Sequence, residues 1–464
     1  MNRTPGFVAV ALFVVLLAPA GRGSAEEPET EDLEVKLKAL QQTVEGLQKQ
    51  IADIQSRLER NKAVADVLKE MGLNPDPNDL RLYWKDGIRM DSRDGTVKLK
   101  FGGRLQYDMA WMGDGDAERR IGELADGFET RRARLSVSGD LGKNVGFKWE
   151  YDFSTGNAVA QDVYLELKQL PVVGTFRVGH FEEPLSLDKL TSSRFITFLE
   201  RALPNTLVPS KNGGAMIYNT ALEERVTWAA GVFRDTNVDD DAQGQMDGQY
   251  AFTTRVTGLP WYEDGGKRLL HLGTSFSGRH TDGVVRYRAR PEAHLAPTFV
   301  DTGNYFTRDI CLYGTEGALV LGPFHAEAEY IAANMAADNN VARVGNQPDP
   351  DYHGYYVQAG YFLTGETRPY KKSTGVFDRV KPLKPYTQGG PGAWELAARF
   401  SYLTLDDDRI AGGKLWDYTF GINWYLHGNV RLMWNYIRSR MDIGPGRNTR
   451  ADADIFLMRA QVDF

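Results

Sequence analysis

One cysteine, Cys311, stands in a chain of 464 residues. A single thiol closes no internal disulfide, so packing or a closed sheet must supply the stability of an exported protein. Histidine is scarce too, seven in all and scattered, with no H-E-x-x-H and no tight Cys/His cluster, so no metal site is supported. G-x-S-x-G is absent, and no convincing Ser/His pairing replaces it, which argues against an enzyme with an activated nucleophile. The "GGPG" run at Gly389 lacks a following Lys-Ser/Thr pair and a βαβ context, so it reads as a turn and no nucleotide cofactor is implied. Long apolar runs are missing except for one, "FVAVALFVVLL" at Phe7 to Leu17. Arg3 precedes it, and Ala18-Pro19-Ala20 and Gly23-Ser24-Ala25 follow as small-residue cleavage sites. It is too short to span a bilayer comfortably and reads as a signal peptide over residues 1–25. No cysteine lies near the cut, so a lipid-anchored start is not expected. Losing Arg3 and Arg22 makes the formal net charge of −7 two units more negative, which argues against a nucleic-acid partner.

What is present begins with a heptad pattern. Leu37, Val44, Ile51 and Leu58 form one row, and Leu33, Leu40, Leu47 and Ile54 the other, with mostly polar residues between them. So narrow a seam predicts a coiled coil of identical chains over residues 30–71; a single amphipathic helix lying on the main domain is the alternative. "GLNPDPND" then breaks the helix, and residues 72–96 are expected to be a linker.

From Val97 the period becomes two. In "VKLKFGGRLQYDMAW" the apolar face carries Leu99, Phe101, Leu105, Met109 and Trp111, while Lys98, Lys100, Arg104, Gln106 and Asp108 take the other. "VGFKWEYDFS", "DVYLELK", "VQAGYFL", "AWELAARFSY" and "LWDYTFGINWYL" repeat the alternation. The terminal "ADADIFLMRAQVDF" repeats it too, with Phe456, Met458, Ala460 and Val462 on the apolar side. Segments near ten residues, with aromatics toward their ends, match tilted strands crossing a bilayer between aromatic girdles. The opposite face is too charged for a dry sandwich core but suits a water-filled lumen. In lipid every backbone group must be paired, so the sheet must close. The expectation is an all-β transmembrane antiparallel barrel over residues 97–464, of sixteen or eighteen strands, whose last strand pairs with its first.

Several stretches resemble the phosphate-selective porin O and P family of Gram-negative outer membranes. "FRVGHFEEPLSLDKLTSSRFITFLERALPNTLVP", Phe176 to Pro209, is similar to the family's strand and inward-folding constriction loop. "FETRRARLSVSGDLG", "YRARPEAHL" with "FVDTG", and "YYVQAGYFLTGETRPYKKSTGVFDRVKP" resemble other parts. The resemblance covers about four-fifths of the chain and excludes the heptad region. It implies sixteen strands, a trimer with a three-stranded coil, and a loop whose basic residues hold the anion. On the matching stretch those residues are Lys189 and Arg194, with Arg201 a weaker correspondence.

A passive pore needs a constriction and a field, and rings of Arg or Lys favour anions. Strand parity puts Arg104, Arg132, Arg134, Lys148, Arg177, Arg255, Arg399 and Arg459 inside, and the loop adds Lys189, Arg194, Arg201 and Lys211. The same parity puts Asp108, Glu150, Asp152, Glu166, Glu395 and Asp417 inside as well, so the sequence shows no clean cationic ladder. The expected function is a trimeric outer-membrane channel for passive diffusion of small solutes with an anion preference, phosphate being one candidate among the anions. The alternative is a structural protein whose periplasmic coil links the barrel to the cell wall. In the loop at 234–248, Asp235, Asn237 and Asp239 start like a calcium loop. Asp240 replaces the required Gly and Met246 the bidentate Glu, so an ordinary solvated loop is the better reading.

Overall fold

The computed structural model describes residues 28–70, 79–113, 116–234, 249–337, 349–407, 410–443 and 450–464. The signal peptide, the acidic loop after Arg234 and the "GLNPDPN" break lie outside them. The chain divides into two compact units, Met1–Asp76 and Pro77–Phe464.

The described residues of the first unit form one helix, α1 (Pro28–Glu70). Its described seam residues are uncovered within the chain: Val44, Leu47, Ile51 and Ile54 are all half-exposed or more.

In the second unit, residues expected to be linker form a hairpin, β1 (Leu80–Trp84) and β2 (Ile88–Ser92). The linker expectation over 72–96 is corrected there. "LRLYW" and "IRMDS" alternate as strands, and Gly87 adopts φ +124° at the turn, a left-handed conformation that favours glycine. The barrel follows. Its first nine strands are β3 (Val97–Gly113), β4 (Gly127–Leu141), β5 (Val145–Asp152), β6 (Val159–Leu170), β7 (Gly174–Glu182), β8 (Lys211–Ala221), β9 (Val226–Arg234), β10 (Ala251–Glu263) and β11 (Arg268–Val285). The two-residue strands β12 (Arg288–Ala289) and β13 (Val300–Asp301) pair within the next loop. The wall resumes with β14 (Tyr305–Leu321), β15 (Phe324–Ala337) and β16 (Asp351–Phe362). A second small pair, β17 (Tyr370–Lys371) and β18 (Val376–Phe377), precedes β19 (Ala393–Asp407), β20 (Ile410–His427), β21 (Val430–Asp442) and β22 (Arg450–Asp463). A four-residue helix, α2 (Glu118–Ile121), lies between β3 and β4.

Every barrel strand pairs antiparallel with its neighbour. The circle closes where β22 meets β3 in the register Phe456↔Trp111 to Asp463↔Arg104, which gives sixteen strands. Alternation holds along the wall. On β3, Leu105, Met109 and Trp111 are exposed on the outside, while Gln106 and Asp108 are buried on the inside. Outer aromatics form two bands. Trp394 and Trp424 stack at 5.0 Å near one end, and Tyr402 and Trp416 lie 5.4 Å apart toward the other. At the end carrying Leu141 and Val145 short turns join the strands, with residues 363–392 the one long exception, and most connections at the other end are longer. Bacterial outer-membrane barrels place their short turns in the periplasm, which orients the wall.

Candidate functional site

The inside faces are too polar to pack on one another, and the chain fills part of the space with its own loops. Residues 183–210, between β7 and β8, fold inward. They begin with α3 (Leu187–Leu190), capped where the Ser186 hydroxyl accepts the N–H of Lys189 at 3.1 Å, and they end in a short 3-10 turn led by Pro204. A buried loop must pair its backbone groups. Wall side chains do this. Arg431 donates to the carbonyl of Ile196 at 2.8 Å, Asn423 to that of Thr197 at 2.8 Å, and Arg399 to that of Glu200 at 3.0 Å. Gln106 donates to the carbonyl of Ser193 at 3.0 Å, and the N–H of Leu203 donates to Ser401 at 2.9 Å.

Two more segments enter. Residues 286–304, from the extracellular side, bury Ala293, Ala296 and Phe299, and place Glu292 2.9 Å from Arg399 Nε. From the periplasmic side, 363–392 turns inward. Arg368 reaches Glu327 at 2.9 Å, Tyr370 hydrogen-bonds His271 at 2.6 Å, and the carbonyl of Gly375 accepts from Arg255 at 2.9 Å. Phe377 packs in one apolar cluster with Leu187, so this segment meets the tip of the constriction loop.

What stays open is a cavity of about 1050 Å³. Ten arginines and four lysines line it, against two aspartates and two glutamates. The acids that parity placed inside are present, but most stand behind the cations. Glu150 (3 % exposed) accepts from Arg104 at 2.9 Å, Glu166 from Arg177 at 2.7 Å, and Asp152 from Arg134 at 2.6 Å. Carboxylates in the wall orient the guanidinium groups; those of Arg134 and Arg177 keep some exposure to the cavity, while Arg104 is itself buried at its edge. Their charge is partly compensated, while the layer a solute touches is basic.

The residues expected at the site separate into groups. Arg104, Arg132, Arg134, Arg177 and Arg255 line the cavity, as do Lys189, Arg194 and Arg201. Arg399 does not; it is buried under the loop and ties Glu292 and Glu200 to β19. Arg459 is likewise covered, bonded to Asp108 at 2.6 Å and to Glu200 at 2.8 Å. Arg201 faces the cavity while donating to the carbonyls of Asp188, Lys189 and Thr191 at 2.8–2.9 Å, so it shapes the loop tip. The nearest carboxylate oxygens to Lys189 and Arg194 in ion-pair range, on Glu182 and Asp463, are 3.9 Å away in each case. Parity missed Arg131. The register shifts between Gln106 and Tyr107, and this bulge lets Arg131 and Arg132 both turn inward toward Glu200. Arg279, Arg286 and Lys371 also line the cavity. Arg279 was readable by alternation, whereas the other two stand in inserted segments.

The loop does not itself span the membrane, and burial perturbs three of its ionisable groups. Burial pushes the Asp188 carboxyl up to about 6, with Arg201 pulling the other way. Burial lowers the Lys189 ammonium, with Glu182 opposing. At Glu200, burial is outweighed by Arg131, Arg132 and Arg459, which hold the carboxylate well below its usual range. Among the described residues no group of three or more His, Cys, Asp or Glu could hold a metal ion.

Comparison with known proteins agrees with this architecture. The family model for phosphate-selective porin O and P matches residues 99–464. The chain belongs to that family. This porin is 28 % identical over 426 residues to Porin O of Pseudomonas aeruginosa, covering 84 % of this chain and 93 % of that protein. It is 32 % identical over 403 residues to an uncharacterized protein of Caulobacter vibrioides, covering 82 % of this chain and 77 % of the other. An anion-selective porin from Comamonas acidovorans shares the fold, with a TM-score of 0.50 and 13 % identity over 79 % of this chain and all of that one. The porin is thus an outer-membrane channel protein whose match begins at Leu99, two residues into β3.

Proposed function

We propose that this porin is a water-filled, trimeric diffusion channel selective for small anions, with phosphate among the preferred solutes, and that it has no enzymatic activity. The observation that carries the reading is the basic lining of the cavity, fourteen Lys and Arg side chains against four carboxylates. Cations on the wetted surface raise the local anion concentration and lower the barrier to anion passage. Lys189 and Arg194 are the residues assigned to hold the anion at the constriction. Their weakly paired charges are free to meet a solute, and Arg suits phosphate through its paired donors. Arg104, Arg132, Arg134, Arg177 and Arg255 supply the surrounding field. Helix α1 serves as a periplasmic coiled coil of three chains, which would cover the exposed row of Val44, Leu47, Ile51 and Ile54. The test is a reversal-potential measurement in a planar bilayer under a salt gradient, followed by titration of phosphate into chloride. Anion selectivity with a current decrease on adding phosphate is expected; cation selectivity would refute the proposal.

A further inference from the structure

The hairpin before the barrel carries a surface that a linker has no reason to carry. On β1, Leu80, Leu82 and Trp84 are 53 %, 68 % and 62 % exposed, while Arg81 and Tyr83 alternate onto the opposite face. That opposite face has polar partners: the Tyr83 hydroxyl donates to Asp91 at 2.8 Å, and the turn residue Asp86 accepts from Lys381 at 3.1 Å. Leu80, Leu82 and Trp84 remain uncovered among the described residues.

The register says what the apolar face continues. β2 pairs with β3 through Ile88↔Phe101 and Met90↔Leu99. Residues directly opposite in a sheet share a face. Trp84 pairs with Ile88, Ile88 with Phe101, Phe101 with Val137, and Val137 with Trp149, which puts all five on one outward row. Trp149, 59 % exposed, is part of the barrel's apolar outer surface. The hairpin also occupies a defined place. Below the row Asp463↔Arg104, where β22 no longer covers the edge of β3, β2 takes over that edge. Its turn abuts the terminal residue, since a Cβ on Gly87 would come within 3.0 Å of the Phe464 backbone. An unpaired edge in lipid is costly, so a pairing strand here completes the wall at its periplasmic rim.

We propose that the outward face of the hairpin is a lipid-binding fin: Leu80, Leu82, Trp84 and Ile88 sit in the interface of the periplasmic leaflet and contact phospholipid, anchoring the seam at which the barrel closes. Continuity with the apolar outer wall of a membrane barrel selects lipid as the occupant. A Trp at the rim with Lys85 and Arg89 close to it is the side-chain set that an acyl–headgroup boundary favours.

The experiment uses the full-length protein in phospholipid vesicles, with Cys311→Ser removing the native thiol. Leu82→Cys is labelled with a polarity-sensitive fluorophore, and Arg81→Cys, on the other face, is the control. Leu80→Cys replaces Leu82→Cys if that variant does not fold. The expected result is blue-shifted emission at position 82, lost when the lipid carries a nitroxide near its headgroup and little affected by aqueous iodide, with position 81 behaving oppositely. Quenching of position 82 by iodide alone would overturn the proposal by placing the face in water. Protection from both quenchers would overturn it as well, because a second copy of the chain would then be covering the face.

Discussion

The carboxylate of Glu329 accepts the backbone N–H of Asp188 at 2.6 Å and that of Leu187 at 3.1 Å. A buried side chain of the barrel wall therefore caps the helical tip of the constriction loop. The Tyr356 hydroxyl lies between the same carboxylate, at 2.7 Å, and that of Glu327, at 2.5 Å. The helical tip of the inward-folded loop is thus held by directional bonds to β15.

Glu329→Ala should release this tip. Two backbone donors lose their acceptor, at about 1–3 kcal/mol each when buried. Thermal unfolding in detergent should fall, and single-channel recordings should show added current noise and a more variable open level. Unchanged noise would mean that the loop is held by its other contacts.

Asp188 should make loop stability depend on pH. Its carboxyl is raised from 3.8 to about 6, so the folded state binds the proton more tightly than the unfolded chain. That contribution is fully present below about pH 3.8 and is lost as pH rises through about 6. The facing groups are Arg201 and Arg399, which favour the charged form, and Glu327, which opposes it. Asp188→Asn retains the acceptor for the Ala202 N–H and should flatten the difference in stability between pH 4 and pH 7 relative to the parent. An unaltered pH profile would remove Asp188 from this role.

Two classes of arginine should respond differently. Arg194→Ala should reduce anion selectivity, read as a smaller reversal potential, while leaving the melting temperature close to the parent's. Arg399→Ala should do the reverse. It strands the buried Glu292 carboxylate, a loss of about 3–5 kcal/mol when one partner of a buried pair is removed, with little direct effect on the field in the cavity.

Selectivity should also weaken with salt. At about 1 M the screening length is near 3 Å, shorter than the spacing of wetted charges across a pore, so the anion-to-cation permeability ratio should approach unity. A ratio independent of ionic strength would assign selectivity to direct coordination at Lys189 and Arg194 rather than to the field.

The helix offers a separate test. In a Cys311→Ser background, Ile51→Cys should form disulfide-linked pairs between chains on mild oxidation, since partners at the seam of a coiled coil bring equivalent positions together. Only monomeric bands would refute the coil.

The sequence by itself determined which face of each strand turns outward, because the pleat period is two and lipid admits only apolar side chains on its side. Trp111, Met109 and Leu105 were legible as exterior, and Gln106 and Asp108 as interior. Closure was legible too, since a strand in lipid cannot leave an edge unpaired. Tertiary structure decided which interior charges meet water. Arg134 and Arg399 look alike in sequence, each alternating with apolar neighbours. The constriction loop crosses one part of the wall and buries Arg399, while Arg134 stays against the cavity. Likewise, packing put the Glu150 carboxylate behind an arginine and that of Glu182 at the cavity surface. The reason is that alternation is a local property of a strand. The paths of the inserted segments, the bulge at Arg131 and the hairpin beneath β22 are set by contacts between residues far apart in the chain, which no local period encodes.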